Sequence, residues 1–218
     1  MIWLKVCGIR RGEDAIAACR LGFNAIGLIF AESPHKVSPD QAREISRRLP
    51  SSILRVGVFS NNDEGEVKKL FQYCNLDLVQ FHGDESPREV VSWGAKAIKA
   101  LRPRGPEDLD ELELYANNFA VLIDTWDPIK AGGTGVVGDW TLAKTVSDRT
   151  RVILAGGLRP RNVEQAIGCV QPFGVDVCTG VESATGVKDE ELMRDFLSRA
   201  RSAGKRRPGE DRDGETGT

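Results

Sequence analysis

Eight short runs rich in valine, isoleucine and leucine recur along the chain, at residues 2–7, 25–30, 53–59, 76–81, 95–100, 119–124, 151–156 and 173–178. Segments of helical periodicity separate them, and the runs begin about 20–30 residues apart, the length of one strand-plus-helix unit. A strand that returns to its sheet through a helix lies parallel to its predecessor, with a right-handed crossover. Eight such units close most simply into an α/β, single-domain (β/α)8 TIM barrel, and 218 residues is an ordinary length for one. The alternative is an open doubly wound sheet. It usually has fewer strands and opens on a glycine-rich dinucleotide turn, which the first strand–helix connection here lacks.

Helix starts keep the same register. Ser38-Pro39-Asp40-Gln41 and Ser86-Pro87-Arg88-Glu89 place a serine three residues before Gln or Glu, the capping-box pattern, each after a predicted strand. Val67, Leu70, Phe71 and Cys74 share one helical face, so Cys74 reads as a core residue, as does Cys19 on the first helix. Leu192, Met193, Phe196, Leu197 and Ala200 mark the last helix. The barrel domain is predicted over residues 1–203; residues 204–218, with glycine, proline and charge but no apolar anchor, are predicted to be a disordered tail.

Charge and cysteine usage narrow the partners. A formal net charge of −2 leaves no global basic surface, which argues for a small-molecule ligand and against nucleic acid. There is no 18-residue apolar run, and Met1 to Cys7 reads as a strand rather than a signal peptide, so no membrane association and a cytoplasmic location are expected. Five cysteines (Cys7, Cys19, Cys74, Cys169, Cys178) without a C-x-x-C spacing read as free thiols. His35 and His82 lie on different loops, and neither a metal nor a cofactor is required.

Chemistry in a barrel of this kind is assembled at the carboxyl ends of its strands. Strand 7 runs into Gly156-Gly157, whose lack of Cβ lets an anion approach the backbone N–H groups, and Pro160 then opens an amphipathic helix bearing Val163, Ala166, Ile167 and Val170. With the segment Thr179-Gly180-Val181-Glu182 after strand 8, this matches the phosphate site of the fold and implies a phosphate-ester substrate. A further glycine-rich loop, Gly132-Gly133-Thr134-Gly135, follows strand 6. Cys7 ends strand 1 and Asp124 ends strand 6, a thiol and a carboxyl across the mouth whose simplest joint use is proton transfer. Nearby positive charge is expected to lower the thiol and a confined apolar site to raise the carboxyl, each toward neutrality. Each also has a bland reading, the cysteine as a small packed residue and the Asp124-Thr125 pair as a loop cap.

In order and spacing, Lys5-Val6-Cys7-Gly8-Ile9, Val56-Gly57-Val58-Phe59, Gln80-Phe81-His82-Gly83, Asp124-Thr125, Gly132-Gly133-Thr134-Gly135, Leu154-Ala155-Gly156-Gly157-Leu158 and Gly174-Val175-Asp176-Val177 together resemble the phosphoribosylanthranilate isomerase family over residues 2–200. The resemblance implies a cofactor-free Amadori rearrangement in tryptophan biosynthesis, with Cys7 as general base and Asp124 as general acid. It further implies backbone phosphate donors at Gly133, Gly156, Gly157, Gly180 and Val181, with Asp176 and His82 at the substrate. A monomer and a homodimer are equally compatible with the sequence.

Two positions depart from the family pattern. His35 stands where the family has the Arg expected to hold the anthranilate carboxylate, with Lys36 beside it as a partial substitute, and Cys178 stands where the family has Ser. The His35 departure is the support for a rival reading, a sister sugar-phosphate isomerase or decarboxylase acting on another phosphorylated substrate. A second rival is a phosphoribosyl-ligand binder without chemistry, which the presence of both Cys7 and Asp124 disfavours.

Overall fold

The computed structural model describes residues 1–124 and 140–205. The loop 125–139, which contains Gly133, and residues 206–218 of the expected tail lie outside the described residues. Eight parallel strands close into a barrel in sequence order: β1 (Trp3–Val6), β2 (Ala25–Ile29), β3 (Leu54–Phe59), β4 (Leu78–Phe81), β5 (Ala97–Leu101), β6 (Ala120–Asp124), β7 (Val152–Ala155) and β8 (Gly174–Val177), with β8 paired back onto β1. Each strand is at most two residues shorter at an end than its apolar run.

Outside them lie α1 (Gly12–Leu21), α2 (Pro39–Arg47), α3 (Glu64–Tyr73), α4 (Pro87–Ser92), α5 (Trp140–Ser147), α6 (Pro160–Val170) and α7 (Glu190–Ala203). Between β5 and β6 the alternation breaks: two 3-10 turns, Pro106–Leu109 and Leu112–Tyr115, take the place of a helix. Pro103, Gly105 and Pro106 account for this, since proline removes a donor and glycine costs backbone entropy in a helix. Ser38 accepts from the Gln41 N–H and Ser86 from the Glu89 N–H, as the capping pattern requires. Val163, Ala166, Ile167 and Val170 are all buried, whereas Leu192 turns away from the buried face of α7.

Strand alternation divides the core in two. Residues such as Leu4, Val6, Val121 and Val175 point outward into the layer beneath the helices. Trp3, Ala25, Val56, Leu78, Ile98, Leu122 and Ile153 point inward and fill the barrel. The same parity turns Lys5, Cys7, Gln80, Asp124 and Asp176 inward, and these are the polar residues near the strand carboxyl ends.

Candidate active site

Lys5 pairs in register with Asp176 on the neighbouring strand β8, and its ammonium lies 2.7 Å from Asp176 Oδ2. The other carboxylate oxygen, Oδ1, is buried with no hydrogen-bond partner among the described residues. Two residues along β1, Cys7 is buried, its N–H bonded to the Val177 carbonyl at 2.8 Å. Its sulfur rests against Gly27, where a Cβ would come within 2.5 Å of Sγ, so glycine at 27 is what makes room for the thiol. Burial pushes the Cys7 thiol above its ordinary value, while Lys5 and Lys188 pull the other way without prevailing. The expectation of a lowered thiol is therefore corrected, because desolvation outweighs the neighbouring cations.

Across the mouth, the Asp124 carboxylate accepts from Arg102 Nε at 3.2 Å and lies 3.4 Å from His82 Nε2. The Gln80 side-chain amide lies 2.9 Å from His82 Nδ1. An amide donor there leaves the ring proton on Nε2, facing Asp124. Sequence reasoning missed Arg102, which lies two residues past the end of β5.

His35 is buried, with Nε2 2.9 Å from Glu182 Oε1, and the same oxygen accepts from Lys188 Nζ at 2.7 Å. Burial alone would raise the Glu182 carboxyl, but the bonds from Lys188 and His35 bring it below the usual carboxylate range. Lys36 is half-exposed and paired with Glu32. Each of these two side chains, expected at the anthranilate carboxylate, has an acidic partner within the chain. Beside them, Arg10 donates from Nη1 to the Pro34 carbonyl at 3.2 Å, while its buried Nε has no partner among the described residues.

His35, Cys178 and Glu182 bring one ligand atom each to within 4.8 Å of one another. The Lys188 ammonium, 2.7 Å from Glu182 and 3.8 Å from Cys178 Sγ, already serves as the cation of this cluster. Burial pushes the Cys178 thiol up to about 12. All five cysteines are free thiols.

After β7, Gly156 and Gly157 adopt φ of 92° and 63°, a left-handed turn that glycine alone makes without strain. The Asn162 side chain ties this turn to the start of α6, accepting from the Arg159 N–H at 2.8 Å and donating to the Gly157 carbonyl at 3.1 Å. Gly180 abuts it from the β8 side, where a Cβ would overlap the Leu158 carbonyl oxygen. Val181 is buried beneath. The two segments expected to cradle a phosphate thus meet backbone to backbone.

Lys5 and Lys188 were also missed by the sequence reading. A signal for Lys5 existed, since a lysine alternating between Trp3 and Cys7 in an otherwise apolar strand is anomalous for a sheet buried on both faces.

Residues 4–199 match the family model described as N-(5'phosphoribosyl)anthranilate (PRA) isomerase. A relative of that name from Rubrobacter xylanophilus is 44% identical over 206 residues, covering 93% of this chain and all of the relative. The phosphoribosyl anthranilate isomerase structure from Thermotoga maritima superposes with a TM-score of 0.85 at 35% identity, covering 93% of this chain and all of that one. A second isomerase structure, in complex with reduced 1-(o-carboxyphenylamino)-1-deoxyribulose 5-phosphate, gives 0.82 at 34% identity, with the same coverage. Among the described residues, no helix is long and apolar enough to cross a membrane.

Proposed function

The chain belongs to the N-(5'-phosphoribosyl)anthranilate isomerase family, and on that premise we infer that it is an isomerase of tryptophan biosynthesis, converting N-(5'-phosphoribosyl)anthranilate to 1-(2-carboxyphenylamino)-1-deoxyribulose 5-phosphate. The observation that carries this reading is the inward placement of Cys7 and Asp124 at the carboxyl ends of β1 and β6, with the Gly156-Gly157 turn beside them. Asp124, as the acid, gives a proton to the furanose ring oxygen; the C1'–O bond breaks and the anilino nitrogen becomes an iminium. Cys7, as thiolate, removes the C2' proton, and the C–H electron pair forms the enolamine, which tautomerises to the ketone. No cofactor enters these steps.

The side chains around the pair fit the two roles. His82 and Arg102 hold the Asp124 carboxyl in place. Asp176 Oδ1, buried with no partner among the described residues, is the group that would accept from a substrate hydroxyl. Backbone N–H groups at Gly133, Gly156, Gly157, Gly180 and Val181 receive the phosphate. For the anthranilate carboxylate, His35 and Lys36 are committed to Glu182 and Glu32, so the guanidinium of Arg10, tied to the same loop through Pro34, supplies the charge-assisted contact.

Loss of phosphoribosylanthranilate fluorescence on adding the protein tests this reading. Turnover is expected. Binding without turnover would support a phosphoribosyl-ligand binder, and faster turnover of a phosphorylated sugar lacking the anthranilate would support a sister isomerase.

A further inference from the structure

Lys5 presents a problem of cost. Its side chain is fully buried inside the barrel, where an ammonium loses its hydration and an apolar residue would pack as well. One acidic partner, Asp176, neutralises the charge, but the pair itself needs a reason to be there. The position of the ammonium supplies one. Lys5 on β1 and Cys7 just past its end are two residues apart and share the inward face, and the ammonium is held on that face 2.7 Å from Asp176 Oδ2.

We propose that Lys5 is the positioning residue that makes Cys7 a base: its ammonium, held by Asp176, favours the thiolate against the burial that opposes it. This rests on the reading of Cys7 as the general base. Burial alone would discharge Lys5, but Asp176 and Cys7 outweigh it, so the nitrogen keeps its proton throughout. The proton that leaves Cys7 goes to water through the mouth, and its S–H electron pair stays on sulfur facing the ammonium. That sulfur then takes the C2' proton.

The other groups around Cys7 divide by sign. Lys188 on the hairpin strand Val187–Lys188 favours the thiolate, and Asp176 on β8 opposes it. Cys178 lies beyond with His35 and Glu182 around it, and β2 presents only Gly27. Lys5 is the largest favourable influence on the sulfur and the only cation on its own strand face.

Alkylation of Cys7 by iodoacetamide, followed across pH by mass spectrometry of the Cys7 peptide, reads thiolate formation without involving catalysis. In Lys5→Met the midpoint of that profile should move up by about one unit or more, the shift expected on losing an adjacent opposite charge, and kcat at neutral pH should fall about 10-fold or more. Lys5→Arg should restore part of both. Because Lys5→Met leaves Asp176 unpaired, a further variant secures the test: Lys5→Met/Asp176→Asn removes the stranded charge and should still show the raised midpoint. An unmoved Cys7 profile in the folded double variant overturns the proposal. Full activity in Cys7→Ser would instead overturn the reading of Cys7 as the base, whatever the alkylation profiles show.

Discussion

The two ends of the barrel interior are built on opposite principles. At the amino-terminal end Trp3, Phe119 and Phe173 pack with ring centroids 5.6 to 6.1 Å apart, and Arg151 lies over the rings of both phenylalanines. Gly174 lets β8 press against Trp3, since a Cβ there would come within 2.7 Å of the Trp3 carbonyl oxygen. At the carboxyl end, further along the same runs, the interior holds Lys5, Cys7, Asp124 and Asp176. Along β1 and the residue just past it, Trp3, Lys5 and Cys7 pass from plug to ion pair to buried thiol. Buried apolar contact holds one end together, and the rigidity it gives the strands lets the other end keep charged groups in fixed, costly positions.

The sharpest separation of the two ends comes from Cys7→Ser. A hydroxyl occupies the space of the thiol but is a far poorer base, so kcat is expected to fall about 10²–10⁴-fold with the melting temperature nearly unchanged. Near-normal turnover in the fluorescence assay would remove Cys7 from the chemistry. At the other end, Trp3→Ala should destabilise the fold by about 3–5 kcal/mol through the cavity it leaves, while the molecules that remain folded keep their kcat. Urea titration reads the first effect and turnover per folded molecule the second. A large loss of kcat would mean that the plug and the mouth are not separable.

Two smaller effects probe the rim of the mouth. Arg10→Ala should raise KM about 10-fold with little change in kcat, the loss of one charge-assisted contact of about 1.5 kcal/mol. If KM holds and His35→Arg lowers it instead, the carboxylate sits on the His35 side of the loop. Glu182 supplies the pH-dependent test. Its carboxyl is held below the unfolded value of about 4.3, so the stability it contributes is complete above that pH and is lost as pH falls through the lower folded value. Glu182→Gln should therefore be less stable than the native chain at pH 7, and the gap in melting temperature should narrow as pH drops below about 4. A constant gap would show that the bonds from Lys188 and His35 do not hold the Glu182 carboxyl down.

Much of this was legible residue by residue. The spacing of apolar runs gave the strands because a buried parallel strand has to be apolar on both faces. Ser38 and Ser86 marked helix starts because a hydroxyl at that position satisfies an N–H the helix leaves open. Gly156-Gly157 signalled a tight turn because other residues are strained at positive φ. The missing helix between β5 and β6 was legible too, in Pro103, Gly105 and Pro106, but the regular alternation around it outweighed that local signal. Cys7 and Asp124 could be placed at the mouth, since parity and strand ends are properties of the chain itself.

What lay beyond the sequence was which charges share a space. Lys5 and Asp176 are 171 residues apart and meet because closure pairs β8 with β1 in one register; no local pattern encodes that register. His35 reads on its own as a weakened substitute for an arginine. Only the fold brings Glu182 and Lys188 to it, and with them the reason its ring nitrogen is already occupied. The direction of the Cys7 shift turned on the same point: nearby cations favour a thiolate, but the depth of burial opposes it, and burial is set by everything packed around the strand rather than by the strand. Sequence determines what each residue can do and which way it faces along its own element, since those follow from backbone period and side-chain chemistry. Tertiary structure alone decides how much water remains and which distant charge stands opposite, and those two quantities set the energy of every ionisable group at the mouth.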